Sequence, residues 1–137
     1  MNSYKLIKPV FSRGYFALLF SLFVTSVVFA QESDVRIHDP VAIKAGDTYH
    51  IFATGRGVGH LTSTDLENWE PAPPVHPEPL GWTKNVVPDF RGHYWAPDII
   101  EHEGLYYLYY SVSSFAKNTS AIGVATTPTL DPDADGY

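Results

Sequence analysis

The sequence contains no cysteine, which excludes disulfides and thiolate metal sites. The same absence removes the lipid-bearing cysteine of a bacterial lipoprotein, so export is expected to yield a soluble protein. Positive charge is scarce as well: nine Lys and Arg face fifteen Asp and Glu. Three of those cations, Lys5, Lys8 and Arg13, precede residue 31. The segment from Gln31 to Tyr137 therefore keeps six against all fifteen acids, a formal −9. No basic cluster survives in it, so nucleic acid and anionic membranes are poor partners and a neutral, hydroxyl-rich ligand suits it better. Long apolar runs are limited to one, Phe16 to Phe29, shorter than the ~20 residues a bilayer span needs. Among His38, His50, His60, His76, His93 and His102 there is no HxxxH-type spacing, and no metal ligand is assigned.

The first thirty residues place basic, apolar and small residues in that order, ending with Val28 and Ala30 before Gln31. This is the order of a secretory signal peptide. Cleavage after Ala30 is expected to leave residues 31–137 as a secreted or periplasmic chain with no membrane attachment.

That remainder is rich in Tyr, Val, Ile, Thr, Pro and Gly, and strand signals recur without a helical period. "PVAIKAGDTYHIFATG" reads as a strand from Val41 to Lys44, a turn at Ala45 to Asp47, and a strand from Tyr49 to Thr54. A third strand follows around His60 to Ser63, then a turn at Asp65 to Asn68, and Trp69 ends the unit. Proline-laden "EPAPPVHPEPLGW" reads as a loop with extended segments. The pattern then returns. "PDIIEHEGLYYLYYS" aligns with "PVAIKAGDTYHIFAT" at an offset of 57, and "IGVATTPTL" resembles "GHLTSTDL" at an offset of 63.

A unit of roughly 60 residues with three or four short strands is the signature of a propeller blade; a β-sandwich with regular turns is the alternative. The fold expected is all-β, with one blade and most of a second, the fourth strand of that second blade due to begin at "DPDADGY". Fewer than about three repeats do not bury a continuous core. The chain thus reads as the N-terminal piece of a longer protein that does not fold stably alone.

Asp39 occupies the slot that Ala96 fills in the second unit, so the blade does not require a carboxylate there. At a strand mouth it suits acid–base work; the competing reading is an Asx-type turn before Pro40. Asp98 is a rival carboxylate, expected on the same face as that slot but one pleat deeper. Trp82, Tyr94, Trp95 and Phe115 fall in loops or at strand mouths, where flat rings stack on sugar faces. Inter-blade packing is the better account for most aromatics, Tyr106 to Tyr110 included; Trp95 and Phe115 lie nearest the mouth. His38 stands out only because it adjoins Asp39.

"HDPVAIKAGDTYHIFATG", "STDLENW", "YWAPDII" and "GLYYLYYSVSSFAKNTSAIGVATTPTLDPD" together resemble glycoside hydrolase family 43, most closely its endo-α-1,5-L-arabinanases, over Val35 to Asp135. The resemblance implies a five-bladed β-propeller that cleaves arabinan with inversion, using two carboxyl groups about 6.5–9.5 Å apart. By that resemblance Asp39 is the general base, while a second aspartate and the general acid glutamate come from later blades outside this chain. Trp95 and Phe115 match positions that contact arabinose, and His38 matches a polar contact beside the base. Ala116 stands where many relatives have a glycine near the sugar. Asp98 is left a supporting part.

A calcium ion in the central channel is implied too, with no ligand in this chain. A monomer acting on plant cell-wall arabinan is expected, inactive as this fragment. The alternatives are an exo-acting α-L-arabinofuranosidase or β-xylosidase of the same family, or a non-catalytic carbohydrate-binding fragment.

Overall fold

In the computed structural model, residues 35–137 are described. Ser33–Tyr137 forms one compact unit. The signal-peptide reading of residues 1–30 lies outside the described residues, and the architecture below belongs to that unit.

β1 (Val41–Ala45) and β2 (Thr48–Ala53) form the first hairpin. Gly46 has φ +60°, the backbone that a Gly-first two-residue turn needs to match strand twist, and Ala45 pairs with Thr48 across it. A two-residue strand, β3 (Gly55–Arg56), precedes β4 (Gly59–Ser63). The expected turn after β4 is built on Asp65: its Oδ1 accepts the amides of Glu67 (2.9 Å) and Asn68 (2.8 Å), and its Oδ2 accepts the Asn68 side-chain amide. β5 (Glu70–Ala72) closes the first sheet in the order β1-β2-β4-β5. Pro71 is confined to that edge strand, where a missing donor costs little.

A single helical turn, α1 (Thr83–Val86), interrupts the loop that the prolines predict to be extended. β6 (His93–His102), β7 (Leu105–Ser113) and β8 (Ser120–Thr127) then repeat the meander. Glu103 and Gly104 both have positive φ, +51° and +79°, as a type I′ hairpin turn requires.

The second sheet departs from expectation at its edges. Its order is β3-β6-β7-β8, so its fourth strand is β3, donated by the first repeat and paired through Gly55↔Tyr94 and Arg56↔His93. The segment 131–137, where the fourth strand was expected, forms turns instead.

The two sheets share one core. Val41 and Ile43 of β1 pack with Phe52 of β2 against a cluster that includes Tyr94, Ile99, Leu108, Tyr110 and Val112. Fully burying side chains such as Phe52, Val58 and Val112 contributes about 1.5–3 kcal/mol each. Gly123 faces Tyr110 across the β7–β8 pair, and a Cβ there would overlap the Tyr110 ring; the close approach is the reason for glycine. Tyr94 and Trp82, placed at strand mouths or loops by the sequence, serve this core: Tyr94 is fully buried and Trp82 packs against the cluster.

The other face of the second sheet is bare. Ile100, Tyr109, Ile122 and Val124 are exposed, and the pair Tyr109↔Val124 places two of them side by side.

Candidate active site

The chain approaches β1 through His38, Asp39 and Pro40. Thr54, just past β2, donates its amide to the His38 carbonyl at 2.9 Å, which ties this approach to the end of β2. Asp39 has φ +48°. Proline at the next position disfavours the right-handed helical region, and aspartate is among the few residues enriched in the left-handed one. Ala96, in the matching slot 57 residues on and also before a proline, has φ +43°. Both repeats therefore open with the same backbone bend, and only the first carries a carboxylate on it.

The Asp39 carboxylate is held from one side. Its Oδ2 accepts the Thr54 hydroxyl at 2.8 Å and meets His38 Nδ1 at 2.8 Å. Oδ1 takes no hydrogen bond among the described residues. No backbone amide among them donates to either oxygen, which is not the pattern of the turn-capping alternative. Thr54 lowers the Asp39 pKa most and His38 lowers it further, outweighing a smaller opposite effect of desolvation. The group is solvent-exposed and ionised at neutral pH.

Thr54 is the residue that sequence reasoning missed. Its Oγ1 also accepts the Ala96 amide at 2.7 Å. That amide is available because β6 carries one residue more than β7 between Trp95↔Ser111 and Asp98↔Tyr109, a bulge that releases it from the ladder. The result is a bridge from the second sheet through Thr54 to the carboxylate in the first. The available signal was faint: Ser111 stands under Thr54 in the repeat, a hydroxyl in both units.

The bulge also corrects the placement of Asp98. Its cross-strand partner Tyr109 lies two residues from the partner of Trp95, so Asp98 shares the face of Trp95 rather than that of the Ala96 slot. Its Oδ1 accepts the neighbouring Ile99 amide at 3.0 Å, and the side chain is exposed. Among the described residues, no hydrogen bond or ion pair links it to Asp39.

Trp95 and Phe115 do come together. Their rings meet edge to face at 4.8 Å, and His93 meets Trp95 in the same manner at 5.0 Å. They line a groove of about 450 Å³ with Asp89, Arg91, Ser113, Ser114 and Lys117. Phe115 is 78% exposed. Two polar atoms there, Trp95 Nε1 and Ser114 Oγ, are buried without a partner, the condition that favours taking up a ligand hydroxyl. Ala116 has φ +55°, a left-handed position that glycine fits without strain. Asp39 does not line this groove, but Trp95 directly precedes Ala96, and the Thr54 bridge leads from there to the carboxylate.

Residues 33–133 match the family model for glycosyl hydrolases family 43. The chain belongs to that family. It is 50% identical over 103 residues to an extracellular exo-α-(1→5)-L-arabinofuranosidase of Cellvibrio japonicus, covering 75% of this chain and 30% of that protein. It is 43% identical over 102 residues to an extracellular endo-α-(1→5)-L-arabinanase of Bacillus subtilis, covering 72% and 32%. Among solved structures, an α-L-arabinanase of Cellvibrio cellulosa superposes with a TM-score of 0.72 at 50% identity, over 75% of this chain and 33% of that one. The chain thus spans about a third of the length of these relatives.

Among the described residues, no three His, Cys, Asp or Glu side chains converge as a metal site would require. Nor is any helix among them long and apolar enough to cross a membrane.

Proposed function

We propose that this chain is the first blade and most of the second of a five-bladed propeller that hydrolyses α-1,5-L-arabinofuranosidic bonds in arabinan with inversion, Asp39 acting as general base. One observation carries the assignment: Asp39 is an ionised carboxylate clamped at Oδ2 and open at Oδ1. An inverting base needs that arrangement, with one oxygen fixed and the other free to accept a proton from the attacking water. The Trp95–Phe115 groove supports a sugar ligand, because an aromatic pair beside unpartnered donors matches a ring with one apolar face and hydroxyl edges. A relative solved in complex with arabinohexaose accords with an oligosaccharide substrate.

In this reading the second aspartate and the general acid glutamate belong to later blades, and the 137-residue chain alone is inactive. A channel calcium belongs to those blades too; no residue here is assigned to it and no step runs through it. Secretion fits two relatives described as extracellular, and a monomer is part of the same proposal. Exo-action is the second reading, because the relative at 50% identity is an exo-acting arabinofuranosidase and the one at 43% an endo-acting arabinanase.

The test is to incubate the full-length protein and the 137-residue chain with linear arabinan, following products by chromatography and anomeric configuration by NMR. The full-length protein is expected to release arabinose or arabino-oligosaccharides of inverted configuration, and the short chain nothing. Turnover by the short chain would show that no later carboxylate is needed.

A further inference from the structure

The Thr54 hydroxyl has one proton and two neighbours. The Ala96 amide is a donor only, so Oγ1 accepts from it and the hydroxyl proton is directed to Asp39 Oδ2. The orientation of the hydroxyl is therefore set by the second sheet, and the carboxylate is set by the hydroxyl. His38 contacts the same oxygen, but its side chain is 77% exposed and a solvent-facing imidazole is a weaker anchor. Thr54, by contrast, is held at its own amide by the His38 carbonyl and at its hydroxyl by the β6 bulge.

We propose that Thr54 is the positioning residue of the base, transmitting the geometry of the Ala96 bulge to Asp39 so that Oδ2 is locked and Oδ1 faces the water. The inference rests on the reading of Asp39 as general base. It implies that the base becomes competent only when the second blade docks on the first, because the anchoring amide comes from β6. A donor to the ionised form also keeps Asp39 deprotonated into acid. Losing that donor raises the Asp39 pKa, so the carboxylate protonates at higher pH and the acid limb of activity moves up. Among the described residues, His38, on the approach to β1, is the one titratable side chain in contact with Asp39; Thr54, just past β2, and Ala96, within β6, are uncharged.

The experiment uses the full-length protein with Thr54→Val and Thr54→Ser, measuring kcat and KM on arabinan across pH. In parallel, the Asp39 carboxyl carbon is titrated by NMR. Thr54→Val is expected to lower kcat by about 10- to 100-fold, the scale of a misplaced catalytic group, with KM within about twofold. Its acid limb and its carboxyl titration should both move to higher pH, and Thr54→Ser, which keeps the hydroxyl, should recover most of the activity. An unchanged titration and acid limb in Thr54→Val overturns the proposal, and so does a Thr54→Ser variant as impaired as Thr54→Val. Should Thr54→Val fail to fold, Thr54→Ala replaces it with the same readouts. If the wild-type protein leaves arabinan intact, the activity reading fails by itself, and the carboxyl titration still decides whether Thr54 governs Asp39.

Discussion

Asp39 shows how one side chain is added to a backbone that does not need it. Asp39 and Ala96 share a left-handed conformation before proline, so the bend belongs to the blade and the carboxylate to the chemistry. Alanine already occupies the equivalent position in the second repeat, and Asp39→Ala is therefore expected to leave the thermal midpoint nearly unchanged. Activity should fall by about 10²–10⁴-fold, the usual share of a general base; calorimetry and arabinan turnover on the same variant separate the two effects. Turnover that survived would remove Asp39 from the mechanism. The pH dependence has a definite sign. A carboxyl held below its ordinary range by Thr54 and His38 is active at neutral and weakly acidic pH, and activity is lost as pH falls through that lowered pKa. Ala116 is the opposite case, a residue with a Cβ in a left-handed turn beside the exposed Phe115.

At the scale of strands, the pairing of β2 with β4 buries two histidines against each other. His50 Nδ1 lies 3.0 Å from His60 Nε2, His60 Nδ1 lies 3.1 Å from the Tyr137 hydroxyl, and Phe52 stacks on His60 at 4.5 Å. A contact between ring nitrogens needs one donor and one acceptor, so the accepting ring is neutral and the two cannot both be charged. Burial lowers both pKa values, that of His60 to about 4 with the neighbouring His50 adding to the effect, while Asp131 pulls His50 back up. An unfolded chain, with histidine near 6.5, therefore binds protons that the folded one refuses. Folding stability is full above about pH 6.5 and declines toward about pH 4. The denaturant midpoint of the full-length protein should fall across that window, and His60→Phe should flatten the slope; equal slopes in the two proteins would remove the pair as the cause. Much at this scale was legible in advance. Gly46-Asp47 and the Asp65 turn carry local signals of turn chemistry, and the Tyr-rich run of β7 is marked by its alignment with β2. β3 and the β6 bulge were not legible, because a two-residue strand and a single extra residue exist only by virtue of the partner strand beside them.

For the molecule as a whole, the repeat shows which surface lacks a neighbour. Ile43 and Ile100 occupy matching positions 57 residues apart, yet Ile43 packs into the core between the sheets while Ile100 is 49% exposed. The first sheet is covered by the second; the same face of the second presents Tyr109, Ile122 and Val124 to solvent. In the propeller reading a third blade covers them. Residues 31–137 produced alone are accordingly expected to self-associate, and Ile122→Lys with Val124→Lys to reduce that association in sedimentation. In the full-length protein the same pair should lower stability by roughly 1.5–3 kcal/mol for each buried side chain lost. Full stability after both replacements would show that this face is solvent-exposed in the complete protein.

Sequence alone determined the all-β class, the two repeats with their register, the family, and the residues most worth attention: Asp39, His38, Trp95 and Phe115. These are local properties, written in the alternation of side chains, in the turn residues and in short motifs. The tertiary structure decided which oxygen of Asp39 is held and which is open, that Asp98 faces with Trp95, and that Thr54 stands between two sheets. Those outcomes hang on a hydrogen bond between residues 42 positions apart, formed when a bulge in one sheet frees an amide beside the other. No pattern confined to neighbouring residues encodes it, because the donor and its acceptor meet only after the sheets have packed.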